Sequence, residues 1–271
     1  MSGRAFAGLE LARRLETAEA EGGARFVESR ARLGEIRAEW RRVAGAWALF
    51  DGAASPVTQT FCLGLFVQPG KDDLDELEDF FRSRGAPVLH EVSPLAGVDL
   101  MALLAARSYQ PMELTSVLFQ ELREEGEAVE GERVQVRVIE SEEADAWAGI
   151  SAEGWSEHPE LREFLAGMGR VIASRENSAA LVAELAGVPA GTAAVAFANG
   201  VAVMAGASTI PAARRQGVQQ ALLRERLRLA RLRGCDLAMM CAAPGSASQR
   251  NAERNGFRIA YTRIKWGLSG S

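Results

Sequence analysis

The chain has 271 residues, a formal net charge of −5, an apolar share of 48% and a charged share of 25%. These values are typical of a folded globular protein and exclude disordered and fibrous chains. The acidic balance argues against a protein that mainly neutralises a nucleic-acid backbone, and no apolar run is long enough to span a membrane. The N-terminus carries charges where a signal peptide would be apolar, so we expect a cytoplasmic protein without nucleic-acid or membrane partners.

Cysteine and histidine usage narrows the chemistry. The three cysteines, Cys62, Cys235 and Cys241, are widely spaced among apolar neighbours. An odd number at this spacing predicts buried free thiols rather than a disulfide framework, which suits a reducing compartment. The two histidines, His90 and His158, belong to no metal-binding motif, so we expect no metal site.

The N-terminal part of the chain mixes helical and strand-like patterns. Residues 9–48 carry recurring apolar positions and no proline, which predicts helix, and Gly22-Gly23 predicts a break in it. Further along, the pattern predicts strands at 58–68 and 86–94, an acidic helix at 74–85, and a short helix followed by one or two strands over 100–122.

Residues 123–132 are polar, acidic and glycine-bearing, which is typical of a linker. The alternative is a long hairpin loop within one domain. A chain of 271 residues is long enough for two modest domains. The linker therefore predicts one domain at 1–125 and a second at 133–271.

After the linker, strands and helices are predicted in the order β-α-α-β-β-β-α-β-α-β. The strands are 134–140, 179–185, 191–198, 201–210, 235–243 and 257–266, and the helices begin at Ser141, cover 160–173 and 216–233, and end with a short one before Gly256. The pair Asn199-Gly200 predicts a hairpin, because both residues tolerate positive φ. The pattern predicts an α/β (α+β) fold with a mixed sheet flanked by helices.

The junction between strand 201–210 and helix 216–233 is the most informative segment. Such a junction directs unpaired backbone N–H groups and the positive end of a helix dipole at one point, which favours phosphate binding. Gly217 allows close approach of an anion, and Arg214 and Arg215 add positive charge. Glycine is common at strand-to-helix turns, so on spacing alone a purely structural role explains this segment equally well.

This segment resembles motif A of the GNAT superfamily of acetyltransferases, whose pattern is Arg/Gln-x-x-Gly-x-Gly/Ala. Residues 214–219 fill that pattern, with Ile210-Pro211 before it and 221–223 after it. Residues 244–266 resemble motif B, a short helix that ends in Gly-Phe before the last strand. The resemblance covers 134–268, whereas Walker and Rossmann glycine patterns fit less well.

The resemblance implies a GNAT-like fold that binds acetyl-CoA and transfers the acetyl group to a primary amine of a small molecule or aminoacyl group. Backbone amides of 215–220 would hold the CoA diphosphate, and the end of strand 201–210, splayed from strand 235–243, would hold the pantetheine arm. The expected cofactor-binding residues are Ser208, Ile210, Arg214, Arg215, Gln216, Gly217, Val218, Gln219, Gln220, Ser248 and Asn251.

Departures from the family pattern leave the proton transfers unassigned. Gln219 replaces the second Gly/Ala, and Ala252 stands where the family often has a tyrosine acid. Strand 201–210 has no carboxylate for the usual base. The candidate bases are Glu153, Glu157 and His158, and a chain of water molecules is an alternative. The candidate acid is Tyr261. An ordinary surface, capping or packing role is the alternative for each of these residues. The alternative function is a non-catalytic acyl-CoA binding or sensing protein.

Residues 103–118 resemble 251–266, with Tyr109 matching Phe257 at an offset of 148 residues. This offset is about one GNAT domain, which predicts a tandem whose first half is degenerate, since 58–100 contains no Arg-x-x-Gly-x-Gly. Chance similarity of two helix–strand units is the alternative. In a tandem, the first half would shape the acceptor pocket of the second half rather than bind CoA. We expect the protein to be a monomer or a homodimer.

Overall fold

A computed structural model describes residues 6–34, 36–122 and 133–268. The chain divides into two compact units: Met1–Gln120 with Met239–Ser271 form the first unit, and Glu121–Ala238 form the second. The predicted linker, 123–132, lies outside the described residues, so the domain limits of 1–125 and 133–271 stay a prediction. Among the described helices, none combines the length and the apolar character needed to cross a bilayer.

Eleven strands and seven α-helices make up the described chain. In order they are α1 (Leu9–Leu33), β1 (Glu39–Val43), β2 (Ala46–Phe50), β3 (Gln59–Phe61), α2 (Lys71–Arg82), β4 (Leu89–Val92), α3 (Val98–Ala106), β5 (Tyr109–Glu121), β6 (Val134–Val138), α4 (Ala144–Glu153), α5 (Arg162–Ala173), β7 (Ser178–Leu185), β8 (Val188–Ala198), β9 (Val201–Thr209), α6 (Val218–Leu232), β10 (Leu237–Ala242), α7 (Ala247–Arg254) and β11 (Arg258–Leu268). From β6 onward this is the predicted order, and the mixed α/β class is confirmed.

The prediction of helix up to residue 48 was wrong. Helix α1 ends at Leu33, and β1 and β2 then form an antiparallel hairpin in which Val43 lies opposite Ala46. Its turn residues, Ala44 and Gly45, have φ of 47° and 80°, as a two-residue hairpin turn requires. Residues 46–49 of β2 are all buried, so apolar residues occupy both faces of the strand. This burial depends on the elements that pack around β2 and not on the local pattern.

The predicted break at Gly22-Gly23 is also absent, because α1 runs through both residues. A Cβ atom added at Gly23 would lie 2.5 Å from Leu49 Cδ1. The glycine therefore permits close packing of the helix against β2 and does not interrupt the helix. The predicted strand 58–68 is likewise reduced to β3, since Cys62 follows it with φ of 64°.

The sheet of the first unit includes the strand order β1-β2-β3-β4-β11-β5. Neighbouring strands are antiparallel except β3 and β4, which run parallel with Thr60 opposite His90. The last strand of the chain thus lies between two strands from the first half. Cys62 and Cys235 are buried, Cys241 is half-buried and all three are free thiols, as predicted.

The register between β5 and β11 bears on the predicted repeat. Three successive pairs are Leu114–Ile264, Thr115–Arg263 and Ser116–Thr262. Thr115 and Arg263 are separated by the same 148 residues as Tyr109 and Phe257. When two copies of a repeat pair as antiparallel strands about a local two-fold axis, the residues at the axis are equivalent positions of the two copies. Thr115 and Arg263 meet this condition, so the register supports a tandem repeat over a chance similarity.

The second unit is built on an antiparallel meander of β6, β7, β8 and β9. Asn199 and Gly200 have φ of 50° and 76°, which confirms the predicted hairpin between β8 and β9. Trp147 of α4 is buried against one face of this sheet and donates its indole N–H to Leu181 O at 2.8 Å. Val218 of α6 packs at Gly191, on the opposite face.

A buried charged cluster, consisting of Glu16, Glu19, Glu91, Tyr261 and Arg263, lies inside the first unit. Arg263 is 3% exposed, and its guanidinium lies 2.9 Å from Glu91 and 2.9 Å from Glu19. The Tyr261 hydroxyl donates to Glu16 at 3.0 Å. Burial raises the pKa of Glu16 to about 7, although Arg263 acts in the opposite direction.

We expect Glu16→Gln to stabilise the protein at alkaline pH. The folded state favours the protonated Glu16 carboxyl, whose pKa is about 7 against an ordinary 4.5, so this group contributes fully below pH 4.5 and its contribution is lost as the pH rises through 7. Glutamine does not titrate. The surrounding groups are Glu19 from α1, Glu91 from β4, Cys241 from β10, and Tyr261 and Arg263 from β11.

Thermal unfolding at several pH values measures this effect. The melting temperature of Glu16→Gln should exceed that of wild type by an amount that grows from pH 5 to pH 8. Each kcal/mol of difference in the free energy of unfolding corresponds to about 2–4 °C. Glu10→Gln on the exposed side of α1 is the matched control and should show no such pH-dependent difference. A constant difference across the pH range would contradict the raised pKa.

Candidate functional site

The strand-to-helix junction of the second unit has the geometry that the sequence predicts. Strand β9 ends at Thr209, Pro211–Ala213 form a short 3-10 turn, and α6 begins at Val218. The helix begins two residues later than predicted, because Gly217 is its N-cap with φ of 86°. Arg215 also has positive φ, 63°. Alternation of left-handed and right-handed residues directs successive amides to one side of the backbone, which makes an anion-binding concavity.

The backbone amides in the middle of this junction are unpaired, whereas those at its two ends donate hydrogen bonds. Ala213 N–H donates to Ile210 O at 2.9 Å, and the first backbone bond of α6 runs from Ala221 N–H to Gly217 O at 3.0 Å. Between them, the amides of residues 215–220 donate to no acceptor within the described residues. These groups lie at the positive end of the α6 dipole.

The junction is also open to solvent. Residues 214–217 are exposed, and a Cβ atom added at Gly217 would meet no atom within 4 Å. An anion can therefore approach the backbone at Gly217 without meeting a neighbouring side chain. We call residues 215–220 the diphosphate turn, since their amides and their exposure fit a diphosphate group.

The two arginines of the junction differ in their surroundings. Arg215 is exposed and pairs with no carboxylate in the described part of the chain. Arg214 forms a bidentate ion pair with Glu157, at 2.7 and 3.2 Å, and also donates to Gly154 O at 3.0 Å. The Arg214 guanidinium lowers the pKa of Glu157, which makes that carboxylate a weaker base than an unpaired one.

Gln219, the departure from the family pattern, keeps its side chain away from the turn. Its amide Nε2 donates to Thr209 Oγ1 at 2.6 Å. Gln216 Nε2 similarly donates to Ala212 O at 3.0 Å. The Gln219 side chain is thus bonded to the end of β9, and its backbone amide donates to no acceptor within the described residues.

The two residues expected to contact pantetheine already have intramolecular partners. Ser208 is 5% exposed and its hydroxyl donates to Ser151 O at 2.8 Å, while Ile210 N–H donates to Ala190 O at 3.1 Å. Close packing by Gly154 holds this arrangement, since a Cβ atom there would lie 1.8 Å from Ser208 Oγ. Gly154 is not predicted from the sequence, because a single glycine after a helix is an ordinary terminator.

Part of the chain is similar to a known protein family. Residues 139–257 match the model of the acetyltransferase (GNAT) family. We refer to this matched segment as the GNAT domain. A search of curated proteins gave no match.

Solved structures show the same fold over most of the chain. A GCN5-related N-acetyltransferase from Kribbella flavida has a TM-score of 0.69 at 20% identity and covers 96% of each chain. A tandem GNAT protein from the clavulanic acid biosynthesis pathway has a TM-score of 0.56 at 14% identity and covers 92% of this chain and 94% of that one. A GCN5-related N-acetyltransferase from Sphaerobacter thermophilus has a TM-score of 0.53 at 16% identity, over 77% and 71%. The predicted GNAT fold is confirmed.

Strand β9 of the GNAT domain contains a bulge that the sequence analysis missed. Its register against β8 shifts by one residue between Ala205 and Ser208, and Gly206 within the bulge has φ of 60°. Residues 205–207 are exposed although both ends of the strand are buried. A bulge removes amides from the ladder and redirects them, so this strand can present an N–H to a ligand. No carboxylate lies on β9.

The candidate catalytic residues differ in their exposure and in their hydrogen bonds. Glu153 and His158 are exposed, and His158 Nδ1 lies 3.4 Å from Glu160. Tyr261 is 8% exposed, its hydroxyl donates to Glu16, and burial raises its pKa. An acid with a raised pKa gives up its proton less readily, so this position argues against Tyr261 as the proton donor.

The motif B residues lie on α7, which belongs to the first unit. Ser248 and Asn251 are exposed on this helix, and their contact with the cofactor stays a prediction. Ala252 is fully buried, so a tyrosine at this position would displace the side chains packed around it. The absence of that acid is therefore consistent with the packing of α7.

Proposed function

We propose that the GNAT domain binds acetyl-CoA and transfers its acetyl group to a primary amine of a small molecule or an aminoacyl group. The observation that carries this proposal is the diphosphate turn, where consecutive unpaired amides, an open Gly217 and an exposed Arg215 converge at the start of α6. The family match to acetyltransferases supports the acyl-transfer reaction.

Each part of the site has a proposed role. The amides of residues 215–220 bind the diphosphate, and Arg215 neutralises part of its charge. Ser208 and Ile210 lie at the end of β9, where the family resemblance places the pantetheine arm, and to bond it directly they would exchange their present partners, Ser151 O and Ala190 O. Ser248 and Asn251 are further candidate contacts. Acetyl-CoA supplies an acyl group already activated as a thioester.

We propose direct attack by the amine rather than an acyl-cysteine route. Burial raises the pKa values of Cys235 and Cys241, and a thiol held protonated is a poor nucleophile. An exposed amide in the β9 bulge polarises the thioester carbonyl. As the C–N bond forms, the thioester C–S bond breaks and CoA leaves as a thiolate, which takes a proton from water. Water, Glu153 or His158 takes the proton from the incoming amine.

A non-catalytic acyl-CoA binding or sensing protein is the second candidate. It is favoured by Ala252 at the usual tyrosine position, by the engaged hydroxyl of Tyr261, and by the lack of a carboxylate on β9. None of these features weakens binding at the diphosphate turn. They bear only on the chemical step.

We propose that the first half does not bind CoA. The helix after β3 that corresponds to α6 is α2, and its N-terminal turn contains Asp72 and Asp73. The Asp73 carboxylate accepts a hydrogen bond from Gly70 N–H at 2.7 Å. An acidic turn whose amide already has an anionic partner repels phosphate, as expected of a degenerate repeat.

Calorimetric titration with acetyl-CoA tests binding, and no heat at high micromolar cofactor would overturn the proposal. Release of CoA thiol in the presence of an amine panel tests the reaction. Turnover with any amine excludes the binding-only candidate. Binding without turnover across polyamines, amino sugars and aminoacyl compounds would favour it.

A further inference from the structure

The ion pair between Arg214 and Glu157 joins the diphosphate turn to the segment between α4 and α5. Both guanidinium Nη atoms bind the carboxylate, at 2.7 and 3.2 Å, in the geometry with which arginine also binds phosphate. Arg214 immediately precedes the first unpaired amide. Of the two arginines at the junction, Arg214 is therefore the one that is already paired with an anion.

The α4–α5 segment (residues 154–161) is held to the rest of the unit mainly at its first residues. Arg214 donates to Gly154 O at 3.0 Å, and Ser208 binds Ser151 just before the segment. Beyond Gly154, the bonds within the segment are local, such as His158 N–H to Trp155 O at 2.8 Å. Trp155 is 48% exposed and Leu161 40% exposed. Glu157 thus attaches the outer part of this segment to the turn.

We propose that Glu157 is a positioning residue that competes with the CoA diphosphate for Arg214, so that cofactor binding releases the α4–α5 segment to receive the acceptor. The inference rests on the proposed function. A diphosphate carries more negative charge than one carboxylate, and the pair is exposed, so the exchange is favourable once CoA is bound. Such coupling is reciprocal: whatever holds the segment to the turn lowers the affinity for CoA.

The test compares two cofactor probes with the full-length protein. Glu157→Gln should tighten acetyl-CoA binding about two- to fivefold, the range expected from removing an exposed competing ion pair. Acetyl-pantetheine, which lacks the diphosphate, should bind wild type and variant equally. Glu160→Gln changes an exposed carboxylate of the same segment and should alter neither affinity. In an Arg214→Ala background, Glu157→Gln should have no further effect.

Hydrogen exchange of residues 155–161 gives an independent readout. Acetyl-CoA should speed exchange there in wild type, whereas the Glu157→Gln variant should exchange fast with or without cofactor. Unchanged or weaker acetyl-CoA binding by Glu157→Gln, while wild type binds, would overturn this inference alone. Failure of wild type to bind acetyl-CoA would overturn the proposed function, and this inference with it.

Discussion

Gly217→Asp is expected to weaken acetyl-CoA binding by about 100-fold or more. Aspartate tolerates left-handed φ better than most residues, so the backbone of the diphosphate turn is retained. Its carboxylate would occupy the open space beside the unpaired amides. A like charge about 4 Å from the diphosphate costs about 4 kcal/mol at an effective dielectric constant of about 20. Calorimetric titration measures the loss directly.

Two controls separate charge from backbone strain. Gly217→Asn has nearly the same shape without the charge and should lose much less affinity. Gly187→Asp lies in the β7–β8 turn, where φ is 78° and an added Cβ meets no atom within 4 Å. It therefore carries similar strain away from the site and should bind acetyl-CoA normally. Wild-type affinity in Gly217→Asp would show that the diphosphate lies elsewhere.

Arg263→Met is expected to lower the free energy of unfolding by about 3–5 kcal/mol, the usual result of removing one partner from a buried ion pair. Arg263 is 3% exposed and faces Glu16, Glu19 and Glu91. Without it these carboxylates repel one another in a medium of low dielectric constant. Urea unfolding followed by circular dichroism measures the change.

The surrounding charges provide the controls for this variant. Adding Glu16→Gln and Glu91→Gln to Arg263→Met should recover much of the lost stability, because the uncompensated charges are removed together. Lys265→Met on the same strand should cost less, since the Lys265 side chain is 17% exposed. A loss below about 1 kcal/mol for Arg263→Met would mean that the cluster is more hydrated than the structure indicates.

Local patterns were sufficient for most of the second half. The strands and helices from β6 to β11 follow the predicted order, because each has its own periodicity and its own turn residues. Asn199-Gly200 determines a hairpin through backbone conformation alone. Gly217 likewise acts through its own φ, so the diphosphate turn was recognisable without any long-range contact.

The errors in the first half come from long-range contacts. The local pattern predicts helix for residues 39–48, and they form strands because β1 and β2 pair with each other and β2 pairs with β3. Gly23 resembled a helix break because its packing partner, Leu49, is distant in sequence. Neither contact can be predicted from a short stretch of sequence, because the partner residues lie outside it.

Individual site residues show the same division. Arg214 was expected to bind phosphate, and its pairing with Glu157 depends on how the α4–α5 segment packs. Tyr261 was a candidate acid on the basis of residue type, and its hydroxyl is engaged by Glu16, a residue 245 positions away. Residue type alone does not reveal what a side chain faces.

The amino-acid sequence by itself determined the order of elements from β6 to β11 and the strand-to-helix turn at residues 215–220, because each depends on neighbouring residues and on backbone conformation. Tertiary structure decided the hairpin after α1, the position of β11 between β4 and β5, the buried charged cluster around Arg263 and the partner of Arg214. These features depend on contacts between residues far apart in the chain, whose energies exist only after the strands and helices have packed.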